Sequence, residues 1–318
     1  MSEKIVPAPI QQVVWPRNVS YYETLSSRPD FMACVRDMIE RTAIPEESLN
    51  DMLGTPENPK MEVYKEFAKC FIPDLVDEKD NYELYEMLGD SALNKATFSY
   101  ISRILYPRLS TKKSSYTVGY MDVVKAHYIS KKFYSSLSIE LGFDDFVKQV
   151  CYNNRAVNNF LKLPDKTMND LYEDVMEAFI GCMELQIDRY VGIHRGYVFV
   201  ANFVYDLLSN IKLQFHPDFF WSASRIVKEA NDKMARTPLH TFKATDKAVV
   251  SRVVPAKEGG YYEVPRELRS VESTGDTKKE AEEAVSKIIL QYYRNDPNYK
   301  PYVDFVPSPE QLGIEDLV

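Results

Sequence analysis

Histidine, cysteine and tryptophan are scarce in this chain of 318 residues, which contains four, four and two of them. The histidines are His127, His194, His216 and His240, and the cysteines are Cys34, Cys70, Cys151 and Cys182. No two cysteines have Cys-x-x-Cys spacing and the histidines lack the spacing of metal ligands, which argues against a zinc site. We interpret the thiols as reduced core residues, as expected of an intracellular protein rather than a secreted one.

Long apolar runs are also missing. No stretch approaches the roughly 20 apolar residues that a transmembrane helix needs, and the opening MSEKIVPAPI lacks the apolar core of a secretory signal. The hydrophobic content of 45% and the mean hydropathy of -0.35 are those of an ordinary globular chain. We therefore expect a cytoplasmic or nuclear protein with no membrane contact.

The chain also lacks an excess of positive charge. Lysine and arginine number 39 against 47 aspartate and glutamate residues, giving a formal net charge of -8 and a pI near 5.3. Nucleic-acid-binding proteins normally carry a basic surface, so the total charge argues mildly against that class. The local distribution of charge matters more than the total, and the length predicts about two domains at roughly 150 residues each.

The chain is organised around Glu83–Leu93, which reads ELYEMLGDSAL. Glu83, Glu86 and Asp90 share one face of a helix, where their mutual repulsion calls for a divalent cation. The apolar stripe expected to face the interior comprises Leu84, Leu88 and Ala92. A purely structural alternative exists for Glu83, because Asp80 and Glu83 fit a helix-capping pair.

A second acidic stretch lies at 171–185, LYEDVMEAFIGCMEL. Apolar residues surround Asp174 and Glu177 on nearly every side, which predicts a buried helix. Burying an ionised carboxylate without a partner is unfavourable in free energy, so a cation partner is again indicated. Gly181 lies one turn beyond Glu177, and a glycine inside a helix is tolerable where another element must approach the backbone closely.

Together these stretches resemble the ribonuclease III family. ELYEMLGDSAL is similar to that family's signature helix, E-x-x-E-F-L-G-D-[SA]-x-L, and DVMEAFIG is similar to its second acidic motif, in the same order along the chain. The resemblance implies an all-helical endonuclease domain whose metal-site acids are Glu86, Asp90, Asp174 and Glu177. The resemblance also implies that Mg²⁺ is the cofactor and that Mn²⁺ can replace it. It implies that Glu83 assists the metal-site acids, and that loss of Glu177 reduces catalysis the most.

The resemblance also implies a homodimer, because the signature helices of two subunits pack together in this family. Met87 stands where the family usually has a phenylalanine at that interface. Methionine fills irregular apolar pockets well, so we expect the homodimer to be kept.

A basic run follows the signature helix, with tyrosines interleaved. It consists of Arg103, Arg108, Lys112, Lys113, Lys125, Lys131 and Lys132. Positive charge beside acidic metal ligands suits a phosphodiester substrate, and we predict RNA contacts for Arg108, Lys112 and Lys113. The alternative is a solvated helix face with extended lysine side chains.

The residues after 220 change character. A helix at Ala223–Met234 precedes strand-like segments, and the expected strands are Leu239–Thr245, Val249–Val254 and part of Tyr261–Thr274. A helix at Gly275–Tyr293 with Thr277 as N-cap closes the pattern. This α-β-β-β-α order resembles a double-stranded-RNA-binding domain, which implies phosphate contacts by Lys278 and Lys279. The alternative is an ordinary amphipathic helix with ion pairs one turn apart.

We therefore predict an α+β multidomain protein with four segments: an arm at 1–28, an all-helical ribonuclease III-like domain at 29–215, a double-stranded-RNA-binding-like domain at 220–294 and an acidic, proline-containing tail at 295–318. The predicted function is Mg²⁺-dependent hydrolysis of double-stranded RNA, leaving 5′-phosphate and 3′-hydroxyl ends with 3′ overhangs. A non-catalytic scaffold that binds or sequesters RNA is the first alternative. A helical interaction domain without an RNA partner is the second.

Overall fold

The structure, a computed structural model, describes residues 20–112, 114–152, 154–163, 166–233, 240–245, 248–253, 266–268, 271–275 and 277–317. They form two compact units. Unit 1 comprises the described residues up to Arg103 together with His127–Lys212, and unit 2 comprises Ile104–Ala126 together with the described residues from Leu213 onward. The four segments read from the sequence are not the same division and stay a prediction.

Helices dominate the described residues, as predicted. In chain order they are α1 (Tyr21–Ser26), α2 (Pro29–Glu40), α3 (Glu46–Leu53), α4 (Met61–Lys69), α5 (Glu83–Leu109), α6 (Ser114–Tyr128), α7 (Lys131–Glu140), α8 (Phe143–Cys151), α9 (Arg155–Phe160), α10 (Met168–Val191), α11 (Gly196–Ser209), α12 (Pro217–Phe220), α13 (Ala223–Lys233), α14 (Lys278–Asn295), α15 (Lys300–Val303) and α16 (Pro309–Leu312). No helix among these described stretches is long and apolar enough to cross a membrane.

Helix α10 lies at the centre of unit 1, as its all-round apolar sequence predicts. Most of its side chains between Leu171 and Ile187 are buried, and it packs against α7 and α11. Phe179 of α10 joins a cluster of phenylalanine rings, edge-on to Phe71 and tilted against Phe143. This rigid core fixes the positions of the acids that α10 carries.

The inward face of α5 differs from the expected one. Leu84 is 62% exposed and Leu88 is 38% exposed, while Tyr85 and Leu93 are buried; of the predicted stripe, Ala92 alone is buried. The expectation that Leu84 and Leu88 face the interior is therefore wrong. The helix turns the face that contains Gly89 toward α10, since that glycine permits the closest approach.

The start of α5 also differs from the expected capping pair. The backbone N–H of Glu83 donates to the side-chain oxygen of Asn81 at 3.1 Å, and Asp80 pairs instead with Lys69 at 3.3 Å. Helices α6 and α7 are separate, because Ser130 accepts a hydrogen bond from the Phe133 N–H at 3.3 Å and starts α7.

Two very short strands in unit 1 were not expected. They are β1 (Gly54–Thr55) and β2 (Asn58–Pro59), which pair antiparallel. A turn at residues 56–57 joins the two strands into a minimal hairpin. Gly54 has a φ of 75°, a conformation that glycine adopts without strain.

Unit 2 contains a three-stranded antiparallel sheet, whose strands follow α13 and precede α14 in the chain. Its strands are β3 (His240–Thr245), β4 (Ala248–Val253) and β5 (Glu272–Gly275), in the spatial order β3-β4-β5. Part of the third expected strand, residues 261–265 and 269–270, lies outside the described residues. Thr277 caps α14 with Glu280 as its reciprocal partner, as predicted. The Glu283 carboxylate accepts hydrogen bonds from the Ala223 and Ser224 N–H groups and so ties α14 to α13.

The residues that follow α14 are ordered and pack within unit 2. Tyr299 stacks on Tyr293 of α14 with ring centroids 4.8 Å apart. Leu312 and Ile314 are fully buried. The part of the predicted tail that the structure describes is therefore a packed segment.

Candidate active site

The candidate site is built where α5 crosses α10 in unit 1. A Cβ atom on Gly89 would lie 1.7 Å from the backbone oxygen of Glu177, and one on Gly181 would lie 2.1 Å from the backbone oxygen of Tyr85. Such distances mean that the two backbones touch, with no room for a side chain. The close approach expected at Gly181 is confirmed, and its partner is the signature helix. The crossing brings the acids of α5 beside those of α10.

Glu177 is the most enclosed acid of the site, with only 6% of its surface exposed. Burial raises the pKa of its carboxyl group to about 9, and the neighbouring charges of Glu173, Asp90 and Glu86 add to the effect. At neutral pH this group therefore holds a proton unless a positive charge comes close.

Glu86 and Asp174 are perturbed in the same direction. Burial, followed by the charge of Asp174, raises the pKa of Glu86 to about 7. Burial likewise raises the pKa of Asp174 to about 6, although the Tyr82 hydroxyl donates to its Oδ2 atom at 2.9 Å and opposes the rise. Glu83 is exposed, and its pKa is raised by burial and by the charges of Asp74 and Asp174. Four acids so affected form a site that a cation would stabilise.

Lys131, in the first turn of α7, forms ion pairs with three acids of α10. Its Nζ atom lies 2.6 Å from Glu173 Oε2, 3.3 Å from Asp170 Oδ1 and 3.9 Å from Asp174 Oδ1. Burial alone would lower the pKa of Lys131, but the carboxylates outweigh it and raise that pKa. Lys131, a member of the predicted basic run, thus neutralises part of the charge of the acids of α10. We name the acidic cluster by its members, which are Glu86, Asp90, Asp170, Glu173, Asp174 and Glu177.

Asp90 is held by a short chain of hydrogen bonds. The Asn94 side chain donates to Asp90 Oδ1 at 2.7 Å, and the Tyr134 hydroxyl donates to Asn94 Oδ1 at 2.8 Å. Sequence reasoning missed Asn94, although its spacing of one helical turn from Asp90 was visible. It also missed Tyr134 and Tyr82, which only the packing of separate segments brings to the site.

The donor chemistry of the acidic cluster suits Mg²⁺, which prefers carboxylate oxygens. Within the described ranges, however, no three Asp, Glu, His or Cys side chains converge in a group that could hold a metal ion. The two observations are compatible, because Mg²⁺ keeps several waters and is commonly bound by only one or two carboxylates. The residues present therefore suit Mg²⁺, although in the described ranges they do not form a preorganised coordination site.

The predicted RNA-contact residues that the structure describes lie in unit 2. Lys112, Lys278 and Lys279 are exposed, whereas Arg108 is ion-paired with Asp316 at 2.7 Å. Lys113 lies outside the described residues. In unit 1, the predicted interface residue Met87 is 67% exposed.

Comparison with known proteins gives consistent results. Residues 83–187 match the family model described as "Ribonuclease III domain". The chain is 32% identical over 120 residues to "Putative ribonuclease 3" of Frog virus 3 (isolate Goorha), a match that covers 38% of this chain and 29% of that protein. It is 28% identical over 139 residues to "Putative ribonuclease 3" of Invertebrate iridescent virus 6, covering 44% of this chain and 41% of that protein. The chain thus spans less than half the length of either relative.

Proposed function

Because residues 83–187 form a domain of the ribonuclease III family, we propose that this chain is a Mg²⁺-dependent endonuclease that cleaves double-stranded RNA. The observation that carries the proposal is the glycine-mediated crossing of α5 and α10, which gathers the acids of both motifs. The products would carry 5′-phosphate and 3′-hydroxyl ends.

Each acid has a proposed role. Glu86, Asp90 and Asp174 would hold the principal Mg²⁺, directly or through the waters that this ion keeps, and Glu177 would help to hold a second. When bound, such ions activate water and stabilise charge on the phosphoryl oxygens. Tyr82 and Asn94 orient Asp174 and Asp90 by hydrogen bonds. Glu86, Asp174 and Glu177 bind a cation only when ionised, so their raised pKa values make cation affinity increase with pH.

The proposal is tested by incubating a labelled RNA duplex with the protein in Mg²⁺ and, in parallel, in chelator. We expect cleavage of the duplex in Mg²⁺ only, with binding retained in chelator. A single strand of the same sequence is the control for duplex specificity. Absence of cleavage at any Mg²⁺ or Mn²⁺ concentration would contradict the proposal.

A non-catalytic RNA-binding scaffold is the second candidate, and the position of Lys131 favours it. This lysine already neutralises part of the acidic cluster, as a protein that works without metal would require. In the same experiment a scaffold binds the duplex equally with and without Mg²⁺ and never cuts it.

We also propose a homodimer formed through α5. Leu84, Met87 and Leu88 are exposed apolar side chains on this helix, and Leu88 also lines an open pocket of about 440 Å³ together with Leu185. A protruding methionine next to a pocket on the same surface is suited to a two-fold interface, in which each subunit offers both features.

Replacing Met87 by aspartate tests the dimer. We expect the variant to sediment as a monomer at concentrations where the native chain is dimeric, because a charge would be buried without a partner. Ile139→Asp is the matched control, since Ile139 is an exposed apolar residue on α7. A native monomer, or equal dissociation of both variants, would contradict the proposed interface.

For unit 2 we propose that α13, the three strands and α14 form a double-stranded-RNA-binding domain. The element order supports this, and so do the exposed Lys278 and Lys279 in the first turn of α14.

A further inference from the structure

Arg108, one of the predicted RNA-contact residues, is engaged by an aspartate far along the chain. Its Nη2 atom donates to Asp316 Oδ2 at 2.7 Å and its Nε atom approaches Asp316 Oδ1 at 3.3 Å. The remaining nitrogen, Nη1, donates to the backbone oxygen of Ile104 at 2.9 Å and fixes the orientation of the guanidinium. The guanidinium of Arg108 therefore binds the Asp316 carboxylate through two of its nitrogen atoms.

Lys112, the second described member of that predicted contact, is exposed, but the end of its side chain lies against the same part of the chain. A Cβ atom on Gly313 would lie 2.9 Å from Cε and 3.2 Å from Nζ of Lys112. Residues 313–316 thus contact both cations, with Asp316 paired to Arg108 and Gly313 beside Lys112. We name residues 309–317, which carry Glu310, Glu315 and Asp316, the masking segment.

The masking segment is anchored by apolar side chains. Leu312 and Ile314 are fully buried, and the Ile314 N–H donates to the backbone oxygen of Pro309 at 3.1 Å. Asp316 itself is 66% exposed. The buried anchors hold the carboxylate in a defined place, while the ion pair stays in contact with water.

An arginine fork binds a carboxylate and a phosphate in the same two-point geometry. Asp316 therefore occupies the hydrogen-bonding positions on Arg108 that a phosphodiester would use. Exposed ion pairs add little to stability, so the pair is a poor structural clamp and is easily displaced by a competing anion.

We propose that the masking segment is an internal competitor of RNA, in which Asp316 takes the place of a backbone phosphate on Arg108. Duplex RNA must displace Asp316 to contact the guanidinium of Arg108. The inference rests on the proposed RNA-binding function and adds a regulatory contact to it.

The test is duplex RNA affinity measured by fluorescence anisotropy in chelator, where no cleavage occurs. Asp316→Asn is expected to tighten binding roughly two- to fivefold at low salt, in line with the strength of an exposed ion pair. The log–log dependence of the dissociation constant on salt is expected to steepen by about 0.9, equivalent to one added phosphate contact. In an Arg108→Gln background the same substitution should change affinity no more than removal of a neighbouring charge does.

Glu315→Gln is the matched control, because it removes the same charge one residue away. Within the part of the chain that the structure describes, Glu315 makes no ion pair, so its effect should be smaller and equal in both backgrounds. Ile314→Ala is a second route, since it loosens the masking segment without changing charge and should also tighten binding, with circular dichroism confirming the fold.

Two failures are distinguishable. If the native chain and every variant fail to bind duplex RNA, the proposed function fails and the inference with it. If the native chain binds but Asp316→Asn and Glu315→Gln act equally in both backgrounds, the inference alone is overturned, since only general charge repulsion is then at work.

Discussion

Replacing Glu177 by glutamine is expected to slow duplex RNA cleavage by roughly a thousandfold or more while leaving duplex binding intact. Metal-based charge stabilisation supplies several kcal/mol to such reactions, and about 1.4 kcal/mol corresponds to a factor of ten in rate. Glutamine keeps the shape of Glu177 but cannot ionise. Single-turnover cleavage in Mg²⁺ measures the rate, and anisotropy in chelator measures binding.

Glu140→Gln is the control for this variant, because Glu140 is an exposed acid on α7 outside the acidic cluster. It should cleave at close to the native rate. A Glu177→Gln variant that still cleaves at the native rate would remove Glu177 from the proposed site.

The same substitution should raise stability in the absence of metal. The pKa of Glu177 is about 9 in the folded protein against an ordinary value of 4.5. The folded state therefore binds the extra proton, and the free energy of unfolding falls as pH rises from about 4.5 to 9. Glutamine removes this loss, so thermal unfolding in chelator should be less sensitive to pH for the variant, with a gain in stability that grows from about pH 4.5 up to about pH 9 and is constant above that.

Replacing Gly89 by alanine is expected to destabilise the fold by roughly 3 kcal/mol or more and to abolish cleavage. Overpacking typically costs about 1–3 kcal/mol, and here the added Cβ meets the backbone oxygen of Glu177, at 1.7 Å, rather than a side chain that could rotate away. The two helices must separate, which moves Glu86 and Asp90 away from Asp174. Chemical denaturation measures the loss of stability.

Gly119→Ala is the matched control for this prediction. A Cβ on Gly119, within α6, meets nothing inside 4 Å, so alanine should be neutral or stabilising by about 0.5–1 kcal/mol through helix propensity. If both glycine variants are equally stable, α5 and α10 do not cross as tightly as the structure has them.

Local patterns were enough to predict much of this protein. The apolar surroundings of Asp174 and Glu177 predicted a buried helix, and α10 is one. Thr277 predicted the start of α14 because a capping box acts within four residues. The two acidic motifs predicted the family, since each lies within a single helix. These features depend on neighbours in the sequence, and so the sequence alone was sufficient.

Tertiary structure decided what depends on residues far apart in the chain. Helical periodicity groups residues on one face, but it does not say which face turns inward; the contact of Gly89 with α10 buries Tyr85 and leaves Leu84 and Leu88 exposed.

The partners of charged side chains also depend on residues that are distant in the sequence. Lys131 pairs with acids of another helix, and Arg108 pairs with Asp316, 208 residues away. A charge takes the partner that folding brings near, and no local pattern encodes that choice.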